Sequence, residues 1–269
     1  MVDGRAWIET VGPELAVQAR LLAKLLAAVE GDAQWEWLEL SCSVAEHRGD
    51  ALSDLDLGLG YRGSEPPSVR GVTDMLTALG AVVEVSEQPW DECHRWWVQY
   101  TDGGQIDLVV MQADTRPGRA PGGVALLDRG GRLQQTFTPR AWAAAPEEPR
   151  RWLLDGWEAL VNTAKYLHRG SLLEACSQIQ RARERVFQLW AVGEGVAYPT
   201  FGLTSLLDAP HAKLPSRIEA SFPTPDFKSV RASALALSDL LFEAGRHADA
   251  RLDSPLREYV ATKLRGATR

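Results

Sequence analysis

Two aspartates separated by one residue, Asp54 and Asp56, have the types and spacing that most plainly allow chemistry in this chain. They alternate with Leu55, Leu57 and Leu59, which is the period of a β-strand with one apolar and one polar face. On such a strand the two carboxylates project from the same face, about 6 to 7 Å apart along the backbone. Carboxylate oxygens bind Mg²⁺, and two such ions can hold the attacking and leaving oxygens of a phosphoryl-type transfer.

A third carboxylate normally completes a site of this kind, and Asp107 is the candidate. It lies between Ile106 and Leu108, so a strand at this position turns its side chain away from the apolar face. One alternative stays open, because acidic residues in strands also mark a face that is simply solvated. The residues around the pair therefore decide its interpretation.

The segment upstream of the pair carries a family resemblance. Ser43 follows a predicted strand and precedes Asp54 by eleven residues, and the run 53–57 reads Ser-Asp-Leu-Asp-Leu. This arrangement resembles the signature of the polymerase-β-like nucleotidyltransferases. The runs 106–110 and 126–133 resemble the antibiotic (aminoglycoside-type) adenylyltransferase branch, and the likeness covers about residues 15 to 190.

The resemblance implies an enzyme that transfers AMP from ATP to a hydroxyl of a small acceptor and releases pyrophosphate. It implies that Asp54 and Asp56 hold two Mg²⁺ ions, while Asp107 binds the catalytic ion and takes the proton of the acceptor. Ser43 and Ser53 are implied to contact the nucleotide. The acceptor is expected to be a hydroxylated, cationic compound, and aminoglycosides, lincosamides and non-antibiotic compounds all remain open.

Cys42 departs from the pattern, because the related enzymes usually have Gly at this nucleotide-binding position. Glycine lets the backbone come close to phosphates, whereas cysteine adds a Cβ atom and a thiol. A negative φ at Cys42 would accommodate the change. The alternative is a catalytically impaired protein of the same fold that binds a nucleotide or a partner chain as a regulator.

The run 157–170 resembles the helix that these enzymes lay across the cleft. Lys165 is one of five lysines, and as a flexible point charge it is implied to hold the β- and γ-phosphates. Glu158, two turns earlier on nearly the same face, is implied to accept the acceptor's proton or to bind its ammonium group. The general base thus remains open between Asp107 and Glu158, and a solvated pair is the alternative for the helix.

Charge and cysteine content restrict the partners. The net charge of −7 is uneven, since residues 1–139 carry −10 and residues 140–269 carry +3. An acidic first half argues against nucleic acid and suits metal cations or a cationic ligand, although it also serves solubility. Three widely spaced cysteines without a CxxC pair predict reduced thiols in the cytoplasm, and no apolar run is long enough to span a membrane. The oligomeric state stays open.

Periodicity predicts an α+β fold, with a mixed β-sheet flanked by helices followed by a helical bundle. We expect residues 1–139 to form the nucleotidyltransferase catalytic domain and residues 140–269 a helical domain that covers substrate and nucleotide. Strands are predicted at about 35–40, 54–59, 81–87, 94–100, 105–111 and 124–127, and helices at about 14–29, 68–79, 147–169, 172–190, 229–244 and 255–264.

Two further patterns predict no site. The run 58–63 fits GxGxxG, but a rigid Ser-Glu-Pro-Pro loop follows it where a dinucleotide site needs a helix. Arg181, Arg183 and Arg185 form a basic cluster within a predicted helix, and we expect a solvated helix face there.

Overall fold

The structure is a computed structural model that describes residues 3–90, 93–137, 143–250, 252 and 255–267. The chain divides into two compact units, Met1–Thr138 and Pro139–Arg269. The α+β fold class is confirmed, because a mixed sheet with helices precedes a helical region. Within the described ranges, no helix is both long and apolar enough to cross a membrane. The roles predicted for the two domains stay predictions.

The first unit is built on one six-stranded sheet. Its strands are β1 (Trp35–Ser41), β2 (Leu55–Tyr61), β3 (Val82–Trp90), β4 (Cys93–Tyr100), β5 (Gln105–Gln112) and β6 (Val124–Asp128). Its helices are α1 (Gly4–Ile8), α2 (Ala16–Glu30), α3 (Cys42–Ala45) and α4 (Val69–Thr77). The strand order is β3-β4-β5-β2-β1-β6, in which β2 and β5 run parallel and the other neighbours antiparallel. The strands predicted from the sequence are confirmed.

One face of the sheet is apolar, as the alternation in β2 predicts. Leu55, Leu57 and Leu59 are buried and belong to the same core as Leu22 and Leu25 of α2. Because successive side chains on a strand point to opposite faces, Asp56 must lie on the other face. The burial of three leucines therefore fixes the side of the sheet on which the acidic residues stand.

The glycines of the GxGxxG run serve packing. Trp37 of β1 lies against Gly58 and Gly60, and a Cβ atom on Gly60 would come within 2.2 Å of the indole ring. The indole nitrogen of Trp37 donates a hydrogen bond of 3.3 Å to the carbonyl oxygen of Ala113. A loop follows the run, as the Ser-Glu-Pro-Pro sequence predicts, and α4 begins at Val69.

In the described residues of the second unit, the regular secondary structure is helical. Its helices are α5 (Glu148–His168), α6 (Leu172–Gly193), α7 (Leu203–Asp208), α8 (Phe227–His247) and α9 (Leu256–Gly266). Amphipathic periodicity predicts all of them except α7. Buried side chains from α5, α6, α8 and α9 form one apolar core, such as Leu160, Ile179, Leu237 and Val260.

The basic cluster on α6 is not a solvated face, and that prediction is wrong. Arg183 is buried, with its guanidinium carbon 3.8 Å from the centre of the Phe222 ring, and it donates a 2.7 Å hydrogen bond to the Ser221 carbonyl. Arg185 reaches Asp155 on α5 at 3.4 Å. A guanidinium can stack and hydrogen-bond at once, so helix periodicity alone does not reveal whether it is covered.

Candidate active site

Three aspartates lie near one another on the polar face of the sheet. In the parallel pairing of β2 with β5, Asp56 stands directly opposite Asp107. The backbones of neighbouring strands lie about 5 Å apart, so the two residues are adjacent on this face. Asp54 lies immediately before β2, where its Oδ2 accepts a 3.2 Å hydrogen bond from the side chain of Gln105. The structure thus brings together the three aspartates that the sequence singled out, and we call them the acid cluster.

The pKa of Asp56 reports this crowding. Burial is the largest cause that raises the pKa of Asp56 from 3.8 to about 6, and the negative charges of Asp54 and Asp107 contribute to the same rise. A hydrogen bond from the Cys42 thiol and the positive charge of Arg95 act in the opposite direction. Ionisation of Asp56 therefore costs free energy unless a nearby cation neutralises its charge.

Arg95 is a member of the site that the sequence analysis missed. It lies on β4, and its Nε donates to Asp107 Oδ1 at 2.7 Å and to Oδ2 at 3.1 Å, while its Nη2 also contacts Oδ2. The hydrogen bond with Asp107 raises the pKa of Arg95, and the charges of Asp56 and Asp54 add to this effect. The alternation of β4 could have revealed it, because Arg95 and Trp97 share the face that carries Asp107.

The donor chemistry of the acid cluster fits a hard divalent cation. Carboxylate oxygens are the side-chain ligands of Mg²⁺, which is often held by one or two carboxylates together with phosphates and water. Across the described residues, however, no three His, Cys, Asp or Glu side chains are grouped closely enough to hold a metal ion. The carboxylate of Asp107 is engaged by Arg95 instead. The expectation of two Mg²⁺ ions therefore stays a prediction.

Cys42 adopts the backbone conformation that favours glycine. Its φ is +59°, in the left-handed region, so the negative φ that would accommodate a cysteine is not what the structure shows. A Cβ atom in this region costs about 1 to 2 kcal/mol. The residue is exposed, and its thiol donates a hydrogen bond to Asp56. Cys42 thus combines a backbone conformation typical of glycine with a side chain.

The two serines assigned to the nucleotide differ in their surroundings. Ser43 is half-buried in the first turn of α3, next to Cys42. The hydroxyl of Ser53 accepts a 2.9 Å hydrogen bond from the backbone N–H of Asp50 and lies 3.3 Å from the Asp50 carboxylate. Ser53 therefore shapes the loop before β2, and binding of a nucleotide by either serine stays a prediction.

Glu158 and Lys165 lie on α5 in the second unit. The side chain of Glu158 is 62% exposed and 3.7 Å from Arg181. The ammonium group of Lys165 donates a 2.8 Å hydrogen bond to Asn162 and lies 4.7 Å from the centre of the Tyr166 ring. Both side chains have local partners on the helices, and their predicted roles toward phosphate and acceptor stay predictions.

A buried ion pair borders the acid cluster, and the sequence analysis missed it as well. Glu39 of β1 is fully buried and stands opposite Gly58, two residues from the Ser41–Asp56 pair. Its carboxylate accepts hydrogen bonds of 2.6 Å from Arg116 and 2.5 Å from the backbone N–H of Ala120. The acid at position 39, between Leu38 and Leu40, was the available signal. The pair ties the loop after β5 to the polar face of the sheet.

Comparison with known proteins adds a distant likeness. No protein-family model and no curated protein matches the chain. Among solved structures, the chain is similar to an aminoglycoside 6-adenyltransferase from Bacillus subtilis, with 12% sequence identity and a TM-score of 0.40. The similarity covers 92% of this chain and 97% of that one.

Proposed function

We propose that the protein is a nucleotidyltransferase that transfers AMP from ATP to a hydroxyl group of a small cationic acceptor. The acceptor oxygen forms a bond to the α-phosphorus, the bond between this phosphorus and the oxygen bridging to the β-phosphorus breaks, and pyrophosphate leaves. The hydroxyl proton passes to a carboxylate. Such a transfer depends on in-line positioning and charge neutralisation more than on covalent catalysis.

The observation that carries the proposal is the register of β2 and β5. It sets Asp56 beside Asp107 on the polar face of the sheet, with Asp54 at the next position along that face. Burial and the neighbouring carboxylates raise the pKa of Asp56, so the ionised form of Asp56 carries a free-energy cost. A site that binds a divalent cation and a phosphate chain gives a reason for that cost.

The chain's own residues have separate roles in this proposal. Asp54 and Asp56 would hold a divalent cation, which supplies compensation for the charge that develops on the phosphates. Asp107 or Glu158 accepts the proton of the acceptor hydroxyl. Ser43 and Lys165 bind the phosphates through their hydroxyl and ammonium groups. The net charge of −10 on residues 1–139 favours a cationic acceptor.

Pyrophosphate release tests the proposal. The wild-type protein and Asp54→Asn are incubated with ATP, Mg²⁺ and a panel of hydroxylated amines that includes aminoglycosides and lincosamides. We expect release with at least one acceptor for the wild type and a loss of at least 10²-fold in the variant, the scale on which one electrostatic group at a transition state acts. Asp74→Asn is the matched control, since Asp74 is 69% exposed on α4. Equal turnover by wild type and Asp54→Asn would refute the role of Asp54.

The backbone of Cys42 favours a second candidate, a nucleotide-binding protein of this fold without transfer activity. The Cβ atom at φ +59° stands where the related enzymes bring glycine close to the phosphates. Thermal shifts with ATP and Mg²⁺ separate the candidates when they are read beside pyrophosphate release, because a ligand that binds only the folded state raises its stability. A shift without turnover, followed by turnover in Cys42→Gly, would identify the impaired protein.

A further inference from the structure

We propose that Arg95 takes the place of a second metal ion, so that the side chains of the acid cluster bind one divalent cation on Asp54 and Asp56. This inference rests on the proposed function and specifies its metal site. It replaces the expectation of two ions on three aspartates with one ion and one built-in guanidinium. Three features of the site support it.

The first feature is the geometry of the Arg95–Asp107 pair. Both carboxylate oxygens of Asp107 accept hydrogen bonds from the guanidinium, at 2.7 Å and 3.1 Å from Nε, with a further contact from Nη2. A planar guanidinium matches a carboxylate in this two-point arrangement, and a point charge such as an ammonium does not. Asp107 therefore lacks a free pair of oxygens to offer a metal ion.

The second feature is the position of Arg95 on the sheet. In the β4–β5 pairing Trp97 stands opposite Asp107 and Arg95 opposite Val109, so Arg95 is the diagonal neighbour of Asp107 on the same face. Asp107 in turn stands opposite Asp56. The guanidinium thus faces the acid cluster from the β4 side, and strands carry Arg95, Asp107 and Asp56, with Asp54 immediately before β2.

The third feature is the charge that remains. Ionised Asp54, Asp56 and Asp107 carry −3 together, and Arg95 reduces this to −2, the charge that one divalent cation neutralises. Among the described hydrogen bonds, none joins an arginine to Asp54 or Asp56. Asp54 accepts a 3.2 Å hydrogen bond from Gln105, and Asp56 accepts one from the Cys42 thiol. Mg²⁺ is commonly held by one or two carboxylates, so this pair suffices.

Titration with Mn²⁺ tests the inference in the absence of nucleotide and acceptor. The electron paramagnetic resonance signal of the free ion measures how much Mn²⁺ remains unbound at each step. We expect the wild type to bind one Mn²⁺ per chain. We expect Arg95→Gln to bind a second Mn²⁺ and to hold the first about tenfold more tightly, because a repelling charge is gone and Asp107 is released. Two ions on the wild-type chain, no ion at all, or unchanged binding by Arg95→Gln would each overturn the inference.

A double variant controls for the unpaired carboxylate that Arg95→Gln leaves. Arg95→Gln combined with Asp107→Asn removes both charges of the pair. The net charge of the site is then −2, as in the wild type. We expect it to bind one Mn²⁺ with wild-type affinity, because Asp107 is not a ligand, and a tenfold loss of affinity would contradict this. Circular dichroism checks that each variant folds. A single Mn²⁺ with the predicted gain in Arg95→Gln but no pyrophosphate release would leave this inference standing while the proposed function fails.

Discussion

Replacing Asp56 by asparagine should stabilise the protein when no metal is present. Asp56 is crowded by Asp54 and Asp107 and partly withdrawn from water, and its pKa is raised from 3.8 to about 6. Above pH 6 the folded state therefore carries an ionised carboxylate that the unfolded state carries at lower cost. Asparagine keeps the shape and removes the charge.

The magnitude follows from the displaced pKa. A change from 3.8 to about 6 corresponds to roughly 3 kcal/mol at neutral pH. We expect Asp56→Asn to gain about 2 kcal/mol, because its amide stays partly buried among polar groups. Because the pKa of Asp56 is raised in the folded state, the folded protein takes up the proton at a higher pH than the unfolded chain does. The difference in unfolding free energy between Asp56→Asn and the wild type therefore shrinks as the pH falls from 6 to 3.8. At pH 4.5 about a third of the 3 kcal/mol penalty remains, and the cost of the partly buried amide offsets it, so variant and wild type should be about equally stable there.

Urea denaturation in EDTA at pH 7.5 and pH 4.5 measures both quantities. Asp74→Asn, at a position 69% exposed, controls for loss of one surface charge and should stay within about 0.5 kcal/mol of the wild type. Added Mg²⁺ should narrow the gap at pH 7.5, since a bound cation favours the ionised form. If Asp56→Asn is no more stable than the wild type at pH 7.5, the electrostatic account of the acid cluster is wrong.

Three more predictions concern the same face of the sheet. Glu39→Gln should lower the free energy of unfolding by about 3 kcal/mol in urea denaturation, because it leaves the Arg116 guanidinium facing a buried neutral group. Gly60→Ala should cost about 1 to 3 kcal/mol in the same assay, since its Cβ atom would come within 2.2 Å of the Trp37 ring. Cys42→Gly should relieve backbone strain at φ +59° and, in a titration with fluorescent ATP, bind the nucleotide more tightly than the wild type.

Each of these predictions has a matched comparison. Asp114→Asn removes an acid that is 79% exposed and paired with Arg132, so it should cost far less than Glu39→Gln. Gly58→Ala places a Cβ atom 3.2 Å from the same indole ring and should cost less than the change at Gly60. Equal losses within either pair would contradict the packing described here. For Cys42, a Cys42→Ser variant that binds ATP as well as Cys42→Gly would show that the Cβ atom is not the obstacle.

Much of the fold could be predicted from local patterns. Alternation, β-forming composition and a turn sequence located the six strands, and helical periodicity located the long helices. The short helix α7 was missed, since six residues carry too little periodicity. The solvation of Arg183 was misjudged, because Phe222 and Ser221 cover it from a distant part of the chain.

The sequence by itself determined the face on which Asp54, Asp56 and Asp107 stand, because the leucines and isoleucine between them must turn into the core. Only the tertiary structure decided that β5 pairs with β2 in the register that sets Asp56 beside Asp107. It also placed Arg95 on Asp107 and gave Cys42 its left-handed φ. Strand partners and register arise from contacts between residues far apart in the chain, so the neighbours of a charged group follow from the packing of the whole sheet.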